Sequence, residues 1–157
     1  MSFSVPYEPT EYTAQSIQPV LKSLEENTQN ISEIHIKSTY TEESLSLLTD
    51  MIQECQNLTY ADFSQSIHES ASAEMLETLN TTLLCLRSLY EVNLSNNNLS
   101  EESIDTLSFL FHSENLKILK INDNYLGVEG AVKLAEVFRN SELQLYVFCA
   151  ERNYLEN

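Results

Sequence analysis

Residues 89–99 read Leu89-Tyr90-Glu91-Val92-Asn93-Leu94-Ser95-Asn96-Asn97-Asn98-Leu99, and the spacing within this stretch decides the fold. Apolar residues occupy its first, fourth, sixth and last positions, and Asn97 stands two before the end, which is the pattern L-x-x-L-x-L-x-x-N-x-L. It returns from Leu116 with Leu119, Ile121, Asn124 and Leu126, and from Leu145 with Phe148, Ala150, Asn153 and Leu155. Upstream, Ile31, Ile34 and Ile36 with Thr39, and Leu58, Ala61 and Phe63 with Ser66, are weaker copies that carry a hydroxyl at the asparagine position. The starts lie 27, 31, 27 and 29 residues apart, so five copies run in phase.

Each copy predicts a short strand and a turn. Residues two apart, such as Val92 and Leu94, share one face of a strand and enter the core. Asn97, Asn124 and Asn153 are expected to close the turns by satisfying backbone groups left open at the strand ends. Between the strands the apolar period lengthens to that of a helix. Leu45, Leu48 and Ile52 follow Thr41 and the Glu42-Glu43 pair; Met75, Leu79, Leu83 and Leu86 form a longer set; Ile104, Leu107, Leu110 and Phe111 follow the N-cap candidate Ser100. After Gly127 come Ala131, Leu134, Ala135 and Phe138, with Glu129 and Lys133 spaced as an i,i+4 pair.

The expected fold is therefore α/β: a leucine-rich-repeat solenoid of about five repeats, ribonuclease-inhibitor-like, with parallel strands on the concave face and helices on the convex face. Residues 1–30 are expected to form an irregular segment to about residue 12 and then a capping helix marked by Ile17, Leu21 and Leu24; repeats fill 31–157, starting near 31, 58, 89, 116 and 145. The chain given ends directly after the fifth turn, which predicts an uncapped end in which Leu145, Phe148 and Leu155 face water unless something covers them, as in a truncated solenoid or an end used for association.

Composition narrows the function. The chain has 157 residues, 24 acidic against 8 basic groups and a formal charge of −16, which argues against phosphate backbones as partners and suits a basic protein. Two glycines cannot build a dinucleotide fingerprint, and no phosphate-loop motif is present. No run approaches the roughly 20 apolar residues of a membrane helix. The stretch from Met1 to Glu8 lacks the basic and apolar regions of a signal peptide, so the five N-x-S/T sequons carry little weight and a cytosolic setting is expected. Cys55, Cys85 and Cys149 read as reduced thiols packed as small hydrophobes. His35, His68 and His112 lack second ligands at metal spacing, His35 reading as a surface residue, and the glutamate pairs open helices. No cofactor or metal and no self-contained catalysis is expected. The binding surface on offer is the outward face of the strands and their ends: Asn93, Ser95 and Asn96, then Lys120, Asn122 and Asp123, then Glu151 and Arg152.

Two segments carry a more specific resemblance. Leu119-Lys120-Ile121-Asn122-Asp123-Asn124-Tyr125-Leu126-Gly127 with Glu129 to Ala135 looks like a ribonuclease-inhibitor-type repeat. Cys149-Ala150-Glu151-Arg152-Asn153-Tyr154-Leu155-Glu156-Asn157 is similar to the C-G-R-N-R-L-E-N stretch of the Ran GTPase-activating proteins, and Ala61-Asp62-Phe63-Ser64 is similar to that family's A-E-F-S. The resemblance implies a cytosolic or perinuclear protein of nuclear transport that binds the small GTPase Ran and raises its GTP hydrolysis. It implies an activator that supplies no arginine finger and uses repeat-turn residues to position Ran's own groups. Arg152 matches the family pattern. The family's turn asparagine falls on Asp123, which loses the amide donors, and its basic loop residue falls on or near Ser70, which loses a five-donor fork. Expected partner contacts are Asn96, Lys120, Asn122, Asp123, Arg152 and Ser70. The alternative is a non-catalytic repeat module for another partner that seeks an acidic surface.

Overall fold

The computed structural model describes residues 1–6, 11–67, 73–107, 109 and 112–155. In chain order the elements are β1 (Ser2–Ser4), β2 (Glu11–Tyr12), α1 (Gln18–Glu25), β3 (Glu33–His35), β4 (Thr39–Tyr40), α2 (Glu42–Gln53), β5 (Tyr60–Asp62), α3 (Ala73–Cys85), β6 (Glu91–Asn93), α4 (Glu101–Thr106), β7 (Ile118–Lys120), α5 (Gly127–Asn140) and β8 (Val147–Cys149). The fold is mixed α/β. Six strands form one parallel sheet in the order β1-β3-β5-β6-β7-β8. Ile34, Ala61, Val92, Leu119 and Phe148 stand opposite one another along it. The helices pack on one another in the same order. One apolar core lies between the two layers.

The segment before residue 12 is not wholly irregular. Ser2–Ser4 adds a parallel strand beside β3, burying Phe3, and Glu11–Tyr12 pairs with Thr39–Tyr40 in a small second sheet. Apolar alternation at Phe3 and Val5 is too short to stand out in a sequence, and a strand this brief is stabilised by its neighbour. Tyr12 stacks on Tyr40 at 5.5 Å between ring centroids. Burial pushes the Tyr40 phenol above its ordinary pKa.

Helix formation follows the apolar period, with departures. Thr41 caps α2 by accepting from Ser44 N at 3.3 Å, and Leu45, Leu48 and Ile52 are buried. In α3 the buried set is Met75, Leu76, Leu79 and Leu83, and Leu86 is buried just beyond the helix end. The helix after Ser100 stops at Thr106; Ile104, Leu107 and Phe109 are buried, whereas Leu110 and Phe111 lie outside the described residues. In α5 the buried face is Gly130, Leu134 and Val137, and Ala135 is exposed. A Cβ on Gly130 would come within 2.9 Å of Leu126 Cβ, so close packing at this helix start requires glycine. Lys133 reaches across to Asp105 at 2.6 Å rather than along its own helix to Glu129, because Asp105 in the neighbouring α4 comes within direct contact of its ammonium. Cys55 is buried, and burial pushes its thiol up to about 11; Cys85 is exposed and Cys149 half-buried, so only one thiol of the three is fully packed as a hydrophobe.

Between repeats the turns are joined by side chains. Ser66 Oγ donates to Ile36 O, Asn97 Nδ2 to Phe63 O, Asn124 Nδ2 to Leu94 O and Asn153 Nδ2 to Ile121 O, each at 2.7–3.1 Å. Asn97 Oδ1 accepts from Ser66 N and Ile67 N, and Asn124 Oδ1 from Asn97 N and Leu99 N. All three asparagines are buried, and Asn153 Oδ1 finds no partner among the described residues. Truncating Asn124 leaves two N–H groups and a carbonyl buried and unpaired, each costing about 1–3 kcal/mol. Asn124→Ala should therefore lose about 3 kcal/mol or more in urea unfolding, and Asn153→Ala clearly less; equal losses would contradict this account.

Candidate functional site

Side chains alternate across a strand, so the residues flanking each core position emerge on the sheet face opposite the helices. In register these are Glu33 and His35, Tyr60 and Asp62, Glu91 and Asn93, and Ile118 and Lys120. Past β5, β6, β7 and β8 the chain turns through a left-handed residue at the same repeat position: Gln65, Asn96, Asp123 and Arg152, with φ of 53–60°. The described surface candidates therefore lie along one band, at the carboxyl ends of neighbouring strands.

The most constrained group on this face is Asp62, which is buried. Its Oδ1 accepts from Ser64 N at 3.0 Å, Ser64 Oγ at 2.6 Å and Asn93 Nδ2 at 3.1 Å. Its Oδ2 meets Lys37 Nζ at 2.9 Å, Tyr60 OH at 3.3 Å and His35 Nδ1 at 3.6 Å. Burial pushes this carboxyl upward in pKa. The Ser64 hydroxyl, Lys37 and the Ser64 N–H outweigh that, and the net displacement is below the usual aspartate range. The Tyr60 phenol is pushed up to about 12 by burial and then by the Asp62, Glu91 and Glu33 carboxylates. His35 is thus no isolated surface residue: it is half-buried against this carboxylate and the Tyr60 ring, at 5.1 Å between centroids.

From Asp62 a polar chain crosses the sheet. Asn93 donates to Asp62 and accepts from Ser95 N; Ser95 Oγ accepts from Asn122 N; Asn122 Oδ1 accepts from Glu151 N at 2.8 Å. Asn122 therefore has its carbonyl engaged between two turns. Asn96 donates its backbone N–H to Asn122 O. Lys120 Nζ lies 2.5 Å from Glu91 Oε1. Asp123 and Arg152 form a two-pronged ion pair, through Nε and through Nη2, the latter 2.6 Å from Asp123 Oδ2. Asn96, Asn98, Asp123, Tyr125, Arg152 and Tyr154 line a cleft of about 560 Å³, in which the Tyr125 and Tyr154 rings stack at 5.6 Å. A cleft of about 720 Å³ at the opposite strand ends is lined by Glu33, Tyr60, Tyr90, Glu91 and Lys117. The structure thus brings Asn96, Asp123 and Arg152 together, with Asn122 beside them and Lys120 on the adjoining strand. Ser70 and His68 lie outside the described residues.

Sequence reasoning missed Asp62 as the centre of the face. Its signal was available: an acidic residue at an outward strand position, with lysine and asparagine at outward positions of the repeats on either side. No group of histidine, cysteine and carboxylate side chains suited to a metal ion occurs among the described residues. No helix among them is long and apolar enough to cross a membrane.

Folding lowers the pKa of Asp62, so its ionised form is favoured in the folded chain. The stabilisation is full above the ordinary aspartate value of about 4 and is lost as the pH falls through the folded value. Asp62→Asn should cost about 1–3 kcal/mol at pH 7, and the gap to the parent should close as the pH falls through the folded value. A pH-independent gap in chemical denaturation would refute the assignment.

No protein-family model and no curated protein sequence matches the chain. Among solved structures it is similar to one described as leiomodin-1 actin-binding site 2, with a TM-score of 0.63 and 15% identity over 84% of this chain and 79% of that one. At that identity the likeness is one of fold.

Proposed function

We propose that the chain is a leucine-rich-repeat solenoid of the ribonuclease-inhibitor type that binds a Ran-like small GTPase through its strand-end loops and raises GTP hydrolysis. The in-phase sequence repeat and the six parallel strands in sequential order support the architecture. The observation that carries the function is Arg152. It stands in the fifth turn next to the buried Asn153, within the stretch that resembles the Ran activators, and its side chain projects from the end of β8.

In this reading the chain acts by positioning. Its strand-end groups would hold the GTPase so that the GTPase's own residues orient the attacking water and stabilise transition-state charge. Arg152 Nε and Nη2 are engaged by Asp123 and Nη1 approaches Glu151 at 3.3 Å, which leaves part of the guanidinium fork for a partner. That engagement also favours a second reading, a non-catalytic repeat module in which the ion pair belongs to a static docking surface.

Single-turnover GTP hydrolysis by purified Ran, with and without the chain, separates the two. Activation is expected to be saturable, and Arg152→Ala should reduce it about tenfold, equivalent to roughly 1.4 kcal/mol of barrier. Asp123→Asn should retain or raise it. An unchanged rate at saturating chain would end the activator reading and leave the docking module.

A further inference from the structure

Eight of the ten exposed large apolar side chains among the described residues lie between Tyr125 and Leu155, at one end of the molecule. Phe148 is 42% and Leu155 38% exposed, whereas Leu119 and Leu126, at the same positions one repeat earlier, are 0%. Main-chain groups are open at the same place. On the inner strands Ile121 N donates to Cys149 O and Asp123 N to Glu151 O. The matching donors, Ala150 N and Arg152 N, follow the outermost strand β8, and no described strand lies beyond it. Helix α5 continues this face in the other layer. Gly130 and Lys133 approach α4 at Glu101 and Asp105, and Leu134 and Val137 enter the core. Val128, Ala131, Ala135 and Phe138, spaced three, four and three residues apart, form a further stripe on the side away from α4. The Phe138 ring meets the Phe148 ring edge-on at 5.1 Å, which joins the stripe to β8.

We infer that this end face binds a second copy of the chain about a two-fold axis, β8 beside β8 and α5 beside α5. This contact is separate from the activator reading. A two-fold between the two β8 edges sets the strands antiparallel, so each strand can exchange main-chain bonds with its own copy. The same rotation sets the helices antiparallel, and the stripe on α5 then meets itself reversed. Val128 falls opposite Phe138 of the second copy and Ala131 opposite Ala135 of the second copy, so small side chains meet at the middle, where helix axes come closest. A head-to-tail contact would instead set the apolar face against the β1 end. There Met1 is the exposed large apolar side chain, and β1 presents Ser2 and Ser4 on either side of the buried Phe3. The apolar face therefore finds its match in itself. The 14 residues of α5 run about 21 Å, and the helix and sheet layers together are about 20 Å deep, so the face projects to roughly 420 Å². Two such faces, with side-chain relief added, bury about 1,000 Å², the lower bound for a specific interface, which sets a reversible, concentration-dependent dimer.

The test is sedimentation equilibrium of the full chain over a range from about 1 to about 200 μM. The mass is expected to rise from that of one chain to that of two and to stop there, with a dissociation constant in the micromolar range. Ala135→Glu and Val128→Glu each put a charge into the paired stripe and should weaken association about tenfold or more. Val132→Glu replaces an equally exposed apolar residue on the outer side of the same helix and should leave association unchanged. Thermal melting of each variant at the lowest concentration separates lost contact from lost fold. A chain that stays monomeric throughout overturns the inference. So does association indifferent to Ala135→Glu and Val128→Glu together, and so does a mass that grows past two copies, the mark of head-to-tail contact.

Discussion

The structure depends on the buried turn carboxamide, which joins each turn to the one before it. A three-residue strand contributes few ladder bonds, and a strand so short is marginal on its own. Asn97 and Asn124 each add a donor to the carbonyl of the preceding strand end and an acceptor for two N–H groups of the preceding turn. Buried backbone groups must be paired, and here one side chain pairs three of them at once. The turns are therefore held in strict register, whereas the connecting helices vary from 6 residues in α4 to 14 in α5.

The same constraint builds the surface. To continue the ladder past the strand, Gln65 N must reach Ser95 O, Asn96 N must reach Asn122 O and Asp123 N must reach Glu151 O. Each of those donors sits in the left-handed region, which costs a residue other than glycine roughly 1–2 kcal/mol. The inter-turn bonds offset that cost at these three repeats, and Arg152 adopts the same conformation at the end of the series. Side chains at this position consequently leave the backbone in the same direction and line one rim. Asp123 and Arg152 meet because register places them on neighbouring strands, not because they are near in sequence.

Most of the fold was legible because its strongest signals are periodic: apolar residues two apart at the strands, three or four apart at the helices, and an asparagine at a fixed offset. What escaped was not periodic. β1 has one clear apolar alternation, at Phe3 and Val5, and forms because β3 offers it an edge. Ala135 fits the helix period and yet is exposed, since tight packing at Gly130 sets the rotation of α5 and turns Val137 inward instead. The strand-face residues could be named, but their pairing could not: Lys37–Asp62 and Lys120–Glu91 join residues 25 and 29 apart, and only the register brings them together.

Net charge does not describe how acids and bases are arranged across the strand face, and the reason is geometric. A short aspartate or glutamate on a strand keeps its carboxylate close to the sheet, where it loses water and must be paired. Lysine and arginine can lay their long stems along the surface and keep their charged heads in solvent. An acid and a base on neighbouring strands therefore sort by length, acid below and base above, as at Asp62 with Lys37 and at Asp123 with Arg152. On the helix side no such sorting is imposed, and Asp105 remains the more exposed member of its pair with Lys133. Carboxylates at the helix starts, such as Glu42, Glu43, Glu101 and Glu102, contribute to the total of −16 without facing the strand side. The two sides of one acidic chain thus differ in which member of an ion pair reaches solvent: the base at Asp62–Lys37 and Asp123–Arg152, the acid at Asp105–Lys133.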